Sequence, residues 1–112
     1  MSFSGRTKEL LLLLPHIPPT VPVIAITSHM DRSSCPILST RPCDKAILLP
    51  APIFESERTS FGVCAPTTSA LVALSLGHAL AVAVAKKVHT LQGRETADVF
   101  KANHLGDVIG PL

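Results

Sequence analysis

The stretch VPVIAITS, residues 21–28, decides the fold class. It is a β-branched run of strand length without a helical period, and its apolar residues do not alternate with polar ones. That pattern predicts a strand covered on both faces. Upstream, SGRTKELLLLL (4–14) reads as a loop followed by a short helix. Ser4 or Thr7 can cap it, Glu9 stands in its first turn, Pro15 stops the leucine run, and HIPPT (16–20) forms a turn. Downstream, HMDRSSCPILSTRPC (29–43) is a loop or one-turn helix, and DKAILLPAP (44–52) is a second short buried strand closed by Pro50 and Pro52.

Further along, IFESERTSFGVCAP (53–66) has no periodicity and reads as a loop. A long apolar helix begins at Pro66 or Thr67 and runs to about Lys87, with Lys86 and Lys87 where cations favour a helix C-terminus. A short helix opens at Thr96 and Asp98, and LGDVIGPL (105–112) is a loop. Helix, strand, helix, strand, helix in sequence predicts parallel α/β layering with right-handed crossovers. Two strands make a poor sheet, so the architecture reads as cut short.

Composition narrows the function. The chain has 112 residues, enough for one small domain, with 46% hydrophobic and 16% charged residues and no Trp or Tyr. A net charge of +2 is spread over scattered Lys and Arg without interleaved aromatics, which excludes a nucleic-acid interface. Cys35, Cys43 and Cys64 have no paired spacing for zinc, so the expectation is reduced thiols in the cytoplasm, no metal and no cofactor. Cys64, beside the apolar helix, is expected to be a small core residue.

Between Arg58 and Lys86 there is no Asp, Glu, Lys or Arg, and the segment is nearly long enough to cross a bilayer. His78, Gly77, several hydroxyls and a high Ala content argue instead for a buried central helix, with His78 a hydrogen-bonded core residue. A small membrane-anchored protein is the rival from another class.

The chemistry lies in SFSGRT (2–7). A polar glycine-containing loop ahead of a helix suits phosphate, because free backbone N–H groups and hydroxyls face the anion; an ordinary helix cap has the same look. SFSGRTKEL (2–10), VPVIAITS (21–28), APTTSALVALSLGHALAVAV (65–84) and ADVFKANHLGDVIG (97–110) occur in that order. Together these blocks resemble the C-terminal portion of a sugar isomerase (SIS) domain, most closely the arabinose-5-phosphate isomerase group.

The resemblance implies a truncated three-layer, doubly wound (flavodoxin-like) parallel sheet lacking its N-terminal β-α-β part and the lysine carried there. Residues 1–112 would be a partial SIS domain with a phosphate loop at 2–7, a long helix at about 67–87 and a C-terminal His loop at 103–110. By the same resemblance, Ser2, Ser4, Gly5 and Thr7 would bind the substrate phosphate together with Thr67, Thr68 and Ser69. Glu9, Glu57 and His104 would be the catalytic groups of an aldose–ketose isomerase working through an enediol. The second glutamate is assigned to Glu57, which keeps its five-residue separation from Gly62, although spacing counted from Pro66 falls on Arg58.

Glu9 could equally be a first-turn carboxylate and His104 a loop histidine, while His16, His29 and His89 are given no catalytic role. His78, Leu105 and Asp107 depart from the family pattern. A sugar phosphate is the implied ligand, with little or no isomerase activity in the chain alone; the alternative is a non-catalytic sugar-phosphate-sensing regulatory domain. No membrane or nucleic-acid partner is expected. Lost strands would leave an unpaired edge and exposed apolar surface, implying a homo-oligomer or association with a longer SIS chain.

Overall fold

The computed structural model describes residues 1–103. It is a mixed α/β structure, in chain order α1 (Lys8–Leu13), β1 (Val23–Thr27), α2 (Pro36–Ser39), β2 (Ala46–Pro50), α3 (Glu57–Phe61), α4 (Thr68–Leu91) and α5 (Thr96–Asn103), with short 3-10 turns at Leu14–His16 and Cys43–Lys45. The chain divides into two compact units, Met1–Gly77 and the residues from His78 onward.

In the first unit β1 and β2 pair in parallel, Val23 opposite Ala46 through Thr27 opposite Pro50. A parallel pair cannot be joined by a hairpin, and the crossover runs through α2. Side chains alternate across the sheet, so Val23, Ala25, Ala46 and Leu48 share one face. That face packs with Cys35, Ile37 and Leu38 into the core, flanked by Leu10, Leu11 and Leu14 from α1 and the turn after it. Small residues at Ala25 and Ala46 leave room for α2 to sit close to the strands, and Leu38 and Cys35 are fully buried there.

The second face is only part covered. Ile26 is buried, and a Cβ placed on Gly77 of α4 would lie 3.9 Å from its Cδ1. The paired Ile24 and Ile47 remain 45% and 47% exposed. The expectation of strands covered on both faces is therefore corrected: on that side the pair Ile24 and Ile47 is left about half exposed.

Arg41 closes the other end of the core. Its buried guanidinium donates to the carbonyls of Pro18 (2.7 Å), Ile17 (3.0 Å) and Leu14 (3.1 Å), where the 3-10 turn after α1 runs out; Leu14 and Pro18 also accept the N–H groups of Ile17 and Val21.

Three further expectations need correction. Residues 57–61, read as loop, form the one-turn helix α3, because Ser56 caps its start by accepting the Thr59 N–H and Gly62 ends it with φ +74°. Cys35 is the core thiol, whereas Cys64 is exposed in the turn between α3 and α4, where no apolar side chains close over it. The apolar helix α4 is not a buried central helix: Ser69 is its one buried residue, and His78 is exposed. Two strands offer too little surface to cover it. It is long and apolar enough to cross a membrane by length and composition, which core helices of soluble proteins also satisfy.

In the second unit, α4 continues past Lys87 to Leu91 and stops at Gly93, which has φ +67°. Arg94 N–H donates to the His89 carbonyl (2.9 Å) and Gly93 N–H to that of Thr90 (3.1 Å), the paired bonds of a Schellman ending. The His89 ring, 3.2 Å from Thr96 Oγ1 through Nδ1, ties α4 to the start of α5.

Arg41→Ala should cost about 2–3 kcal/mol, because buried carbonyls lose a charged donor, and Arg41→Lys should recover only part of it for want of the planar fork. Urea denaturation followed by circular dichroism checks both.

Candidate functional site

Loop 2–7 is fixed by the end of β1. Ser2 N–H donates to the Ile26 carbonyl (3.0 Å) and Ser28 N–H to the Phe3 carbonyl (2.9 Å). The Phe3 carbonyl also accepts from the hydroxyls of Thr27 (2.9 Å) and Ser28 (2.7 Å). The loop then turns back on itself, with Gly5 N–H reaching the Ser2 carbonyl at 3.2 Å.

Gly5 is demanded twice over at this turn. Its φ is +61°, and a Cβ there would meet the His29 ring at 3.0 and 3.1 Å and Cys35 Sγ at 3.2 Å. The same ring shapes the loop, since Nε2 of His29 donates to the Ser4 carbonyl (2.8 Å) while Nδ1 lies 3.0 Å from Ser34 Oγ. Ser34 is itself held by Asp31, whose Oδ1 accepts the Ser34 N–H (3.0 Å) and the Ser33 hydroxyl (2.5 Å). These bonds, the Ser33 hydroxyl foremost, hold the Asp31 carboxyl below its ordinary pKa.

The hydroxyls of the loop are unequally free. Ser2 Oγ is buried and lies 2.7 Å from Thr7 Oγ1, so these two satisfy one another, and Thr7 makes no side-chain cap to α1. Ser4 Oγ is exposed and, among the described residues, accepts only the nearby Arg6 N–H at 3.2 Å.

Across from the loop stands the start of α4, and Glu57 of α3 reaches it. One carboxylate oxygen, Oε1, accepts from Thr67 N–H (2.5 Å), Ser69 N–H (3.0 Å), the Ser69 hydroxyl (2.8 Å) and the Thr67 hydroxyl (3.3 Å). A carboxylate there satisfies helix N–H groups that would otherwise lack acceptors. The N–H groups of Ser69 and Thr67 keep its pKa below the ordinary carboxylate range.

Between these parts lies an open cavity of about 420 Å³ lined by Ser4, Thr7, Glu57, Arg58, Cys64 and Ser69, among others. Of the residues singled out in the sequence, it therefore brings together Ser4, Thr7, Glu57 and Ser69. Ser2 instead lines an apolar cavity of about 340 Å³ beside it, with Phe3, Ile26, Ala70 and Ala73. Gly5 shapes the loop from beneath, Thr67 holds Glu57, and Thr68, the first residue of α4, is exposed outside the lining. Glu9 is exposed on α1 and does not line the cavity. His104 lies outside the described residues, as does most of the expected His loop at 103–110.

Compared with family models, with curated proteins and with solved structures, the chain matches none. What the site can do must be argued from its own groups. Hydroxyls, one engaged carboxylate and one guanidinium line the cavity together with the apolar surface of Phe3, Cys64 and Pro66. Among the described residues no three His, Cys, Asp or Glu side chains converge to hold a metal ion.

Two residues here were not legible as contributors. His29, given no catalytic role from the sequence, fixes the Ser4 carbonyl; the signal available was its position two residues beyond Thr27, where β1 ends. Arg58 entered only as an alternative to Glu57 in counting, and both line the cavity.

Gly5→Ala should cost about 1–3 kcal/mol from its left-handed backbone alone, read as a lower urea midpoint. The lowered carboxyls give a signed pH dependence. With folded-state pKa values below those of the unfolded chain, the contributions of Glu57 and Asp31 are complete above the ordinary carboxylate range and disappear as pH falls through the depressed values. Urea midpoints measured from about pH 6 down to pH 3 should fall, and Glu57→Gln and Asp31→Asn should each make that fall shallower.

Proposed function

We propose that the chain is a sugar-phosphate-binding domain of the SIS type and of aldose–ketose isomerase ancestry, with little or no isomerase activity by itself. The observation that carries this is the meeting of Ser4 and Thr7 of loop 2–7 with Ser69 at the start of α4 around one open cavity of about 420 Å³. That volume is in the range of small-molecule sites, about 300–1,000 Å³, and the Ser4 hydroxyl and the Arg58 guanidinium that line it can donate to the acceptor oxygens of a phosphate monoester.

Isomerisation through an enediol needs a base that takes a proton from one carbon and returns it to the next, with a donor on the carbonyl oxygen. Glu57 is a poor base in this state, because four donors share one of its oxygens and its pKa is lowered. Glu9 stands outside the cavity lining. These two facts support binding without turnover, and they favour as second reading a sensing domain that binds a sugar phosphate to control another activity.

The three-layer doubly wound sheet belongs to this proposal too. In it, a second copy or a longer SIS chain supplies strands beside β1 and covers Ile24 and Ile47, whose side chains are exposed on one face. The arrangement would operate in the cytoplasm.

A thermal melt with arabinose 5-phosphate tests the reading. A ligand at about 100 times its dissociation constant adds roughly 2.7 kcal/mol when it binds only the folded state, so the transition should move upward while ribulose 5-phosphate stays undetected. An unmoved transition overturns sugar-phosphate binding, and detectable ribulose 5-phosphate overturns the claim of inactivity. Binding that survives Glu9→Gln and His104→Ala selects the sensor.

A further inference from the structure

The cavity holds two oppositely charged side chains next to each other in sequence, and they are differently committed. Glu57 spends Oε1 on the N–H and hydroxyl groups of Thr67 and Ser69. Arg58 lines the same cavity, is exposed, and makes no side-chain hydrogen bond or ion pair with any described residue. We propose that Arg58 is the cation that binds the phosphate group of the ligand, and that the first turn of α4 serves to hold Glu57 rather than the ligand. This deepens the sugar-phosphate reading and rests on it.

Three observations lead there. The start of α4 would otherwise be the natural seat for an anion, but its Thr67 and Ser69 N–H groups already have a carboxylate acceptor, so a phosphate would have to displace one anion to replace it with another. Next, a dianionic phosphate entering beside the Glu57 carboxylate meets repulsion that a cation in the lining must offset, and Arg58 is the Lys or Arg that the lining contains. A guanidinium also offers paired donors matched to two phosphate oxygens, which a lysine does not.

Last, Arg58 is held in place from both sides. The helix that carries it is capped by Ser56 and closed by the bond from Gly62 N–H to the Arg58 carbonyl (2.9 Å), and the neighbouring Glu57 anchors it to α4. The backbone beneath Arg58 is thus set before ligand arrives, and the side chain alone has to be ordered.

The test is calorimetric titration of arabinose 5-phosphate, D-arabinose and inorganic phosphate into the full chain and into Arg58→Gln, Arg58→Lys and Glu57→Gln. Arg58→Gln should weaken arabinose 5-phosphate about ten- to a hundred-fold, the loss of one charged bond pair. Arg58→Lys should fall between, and Glu57→Gln, which keeps an acceptor oxygen for the start of α4 and removes a negative charge, should lose less than Arg58→Gln. Because the side chain is exposed and unpaired, both Arg58 variants should melt where wild type does, and Arg58→Lys retains a test if Arg58→Gln does not.

Wild-type affinity in both Arg58 variants overturns the assignment and leaves sugar-phosphate binding standing. Binding of inorganic phosphate but not of the sugar phosphate, lost in Arg58→Gln, upholds Arg58 and overturns the sugar reading. A large loss of phosphate binding in Glu57→Gln with none in Arg58→Gln, or no phosphate binding by wild type at all, overturns the assignment.

Discussion

The site hangs on the last two residues of β1. Successive carbonyls of a strand point to opposite edges, and here Ile26 accepts from Ser2 N–H while Thr27 accepts from Ala51 N–H (2.6 Å). One bond fixes where loop 2–7 begins, and the other fixes where the chain leaves β2 toward α3 and α4. Both walls of the cavity between loop 2–7 and the start of α4 are thereby hung from one point. The hydroxyls of Thr27 and Ser28 reinforce it by converging on the Phe3 carbonyl, so a threonine and a serine at a strand end act as joinery between two segments far apart in sequence.

What could be read from the sequence follows what each signal physically measures. The unbroken apolarity of residues 23–26 and 46–49 reports a strand, and both strands are present and parallel. It does not report what lies on each face, and Ile24 and Ile47 are uncovered on one. The same gap misled the reading of α4: apolarity belongs to a helix, whereas burial belongs to its neighbours. Its end near Lys87 was read from charge, but the stop is the left-handed Gly93 two residues past Leu91.

At the site, loop 2–7 was legible as a polar, glycine-containing loop ahead of a helix, whereas the start of α4 entered as its partner through the family resemblance alone. The engagement of Glu57 by Thr67 and Ser69 was not legible, since it is a contact between α3 and α4 that spacing does not encode. Helix α3 itself has no apolar period to announce it; Ser56 and Gly62 define it by its two ends. His29 acts through a carbonyl, and a carbonyl leaves no mark in a sequence.

Cys35 gives the loop a built-in reporter. Its thiol is fully buried directly beneath Gly5, whereas Cys43 and Cys64 are exposed. A thiol reagent therefore meets two cysteines at once and the third only when the layer above it opens. The rate of that slow labelling is a clock for local opening, and its free energy can be set against that of global unfolding. Any ligand that steadies loop 2–7 would slow the clock, so occupancy of the cavity can be timed at a sulfur atom the ligand never touches.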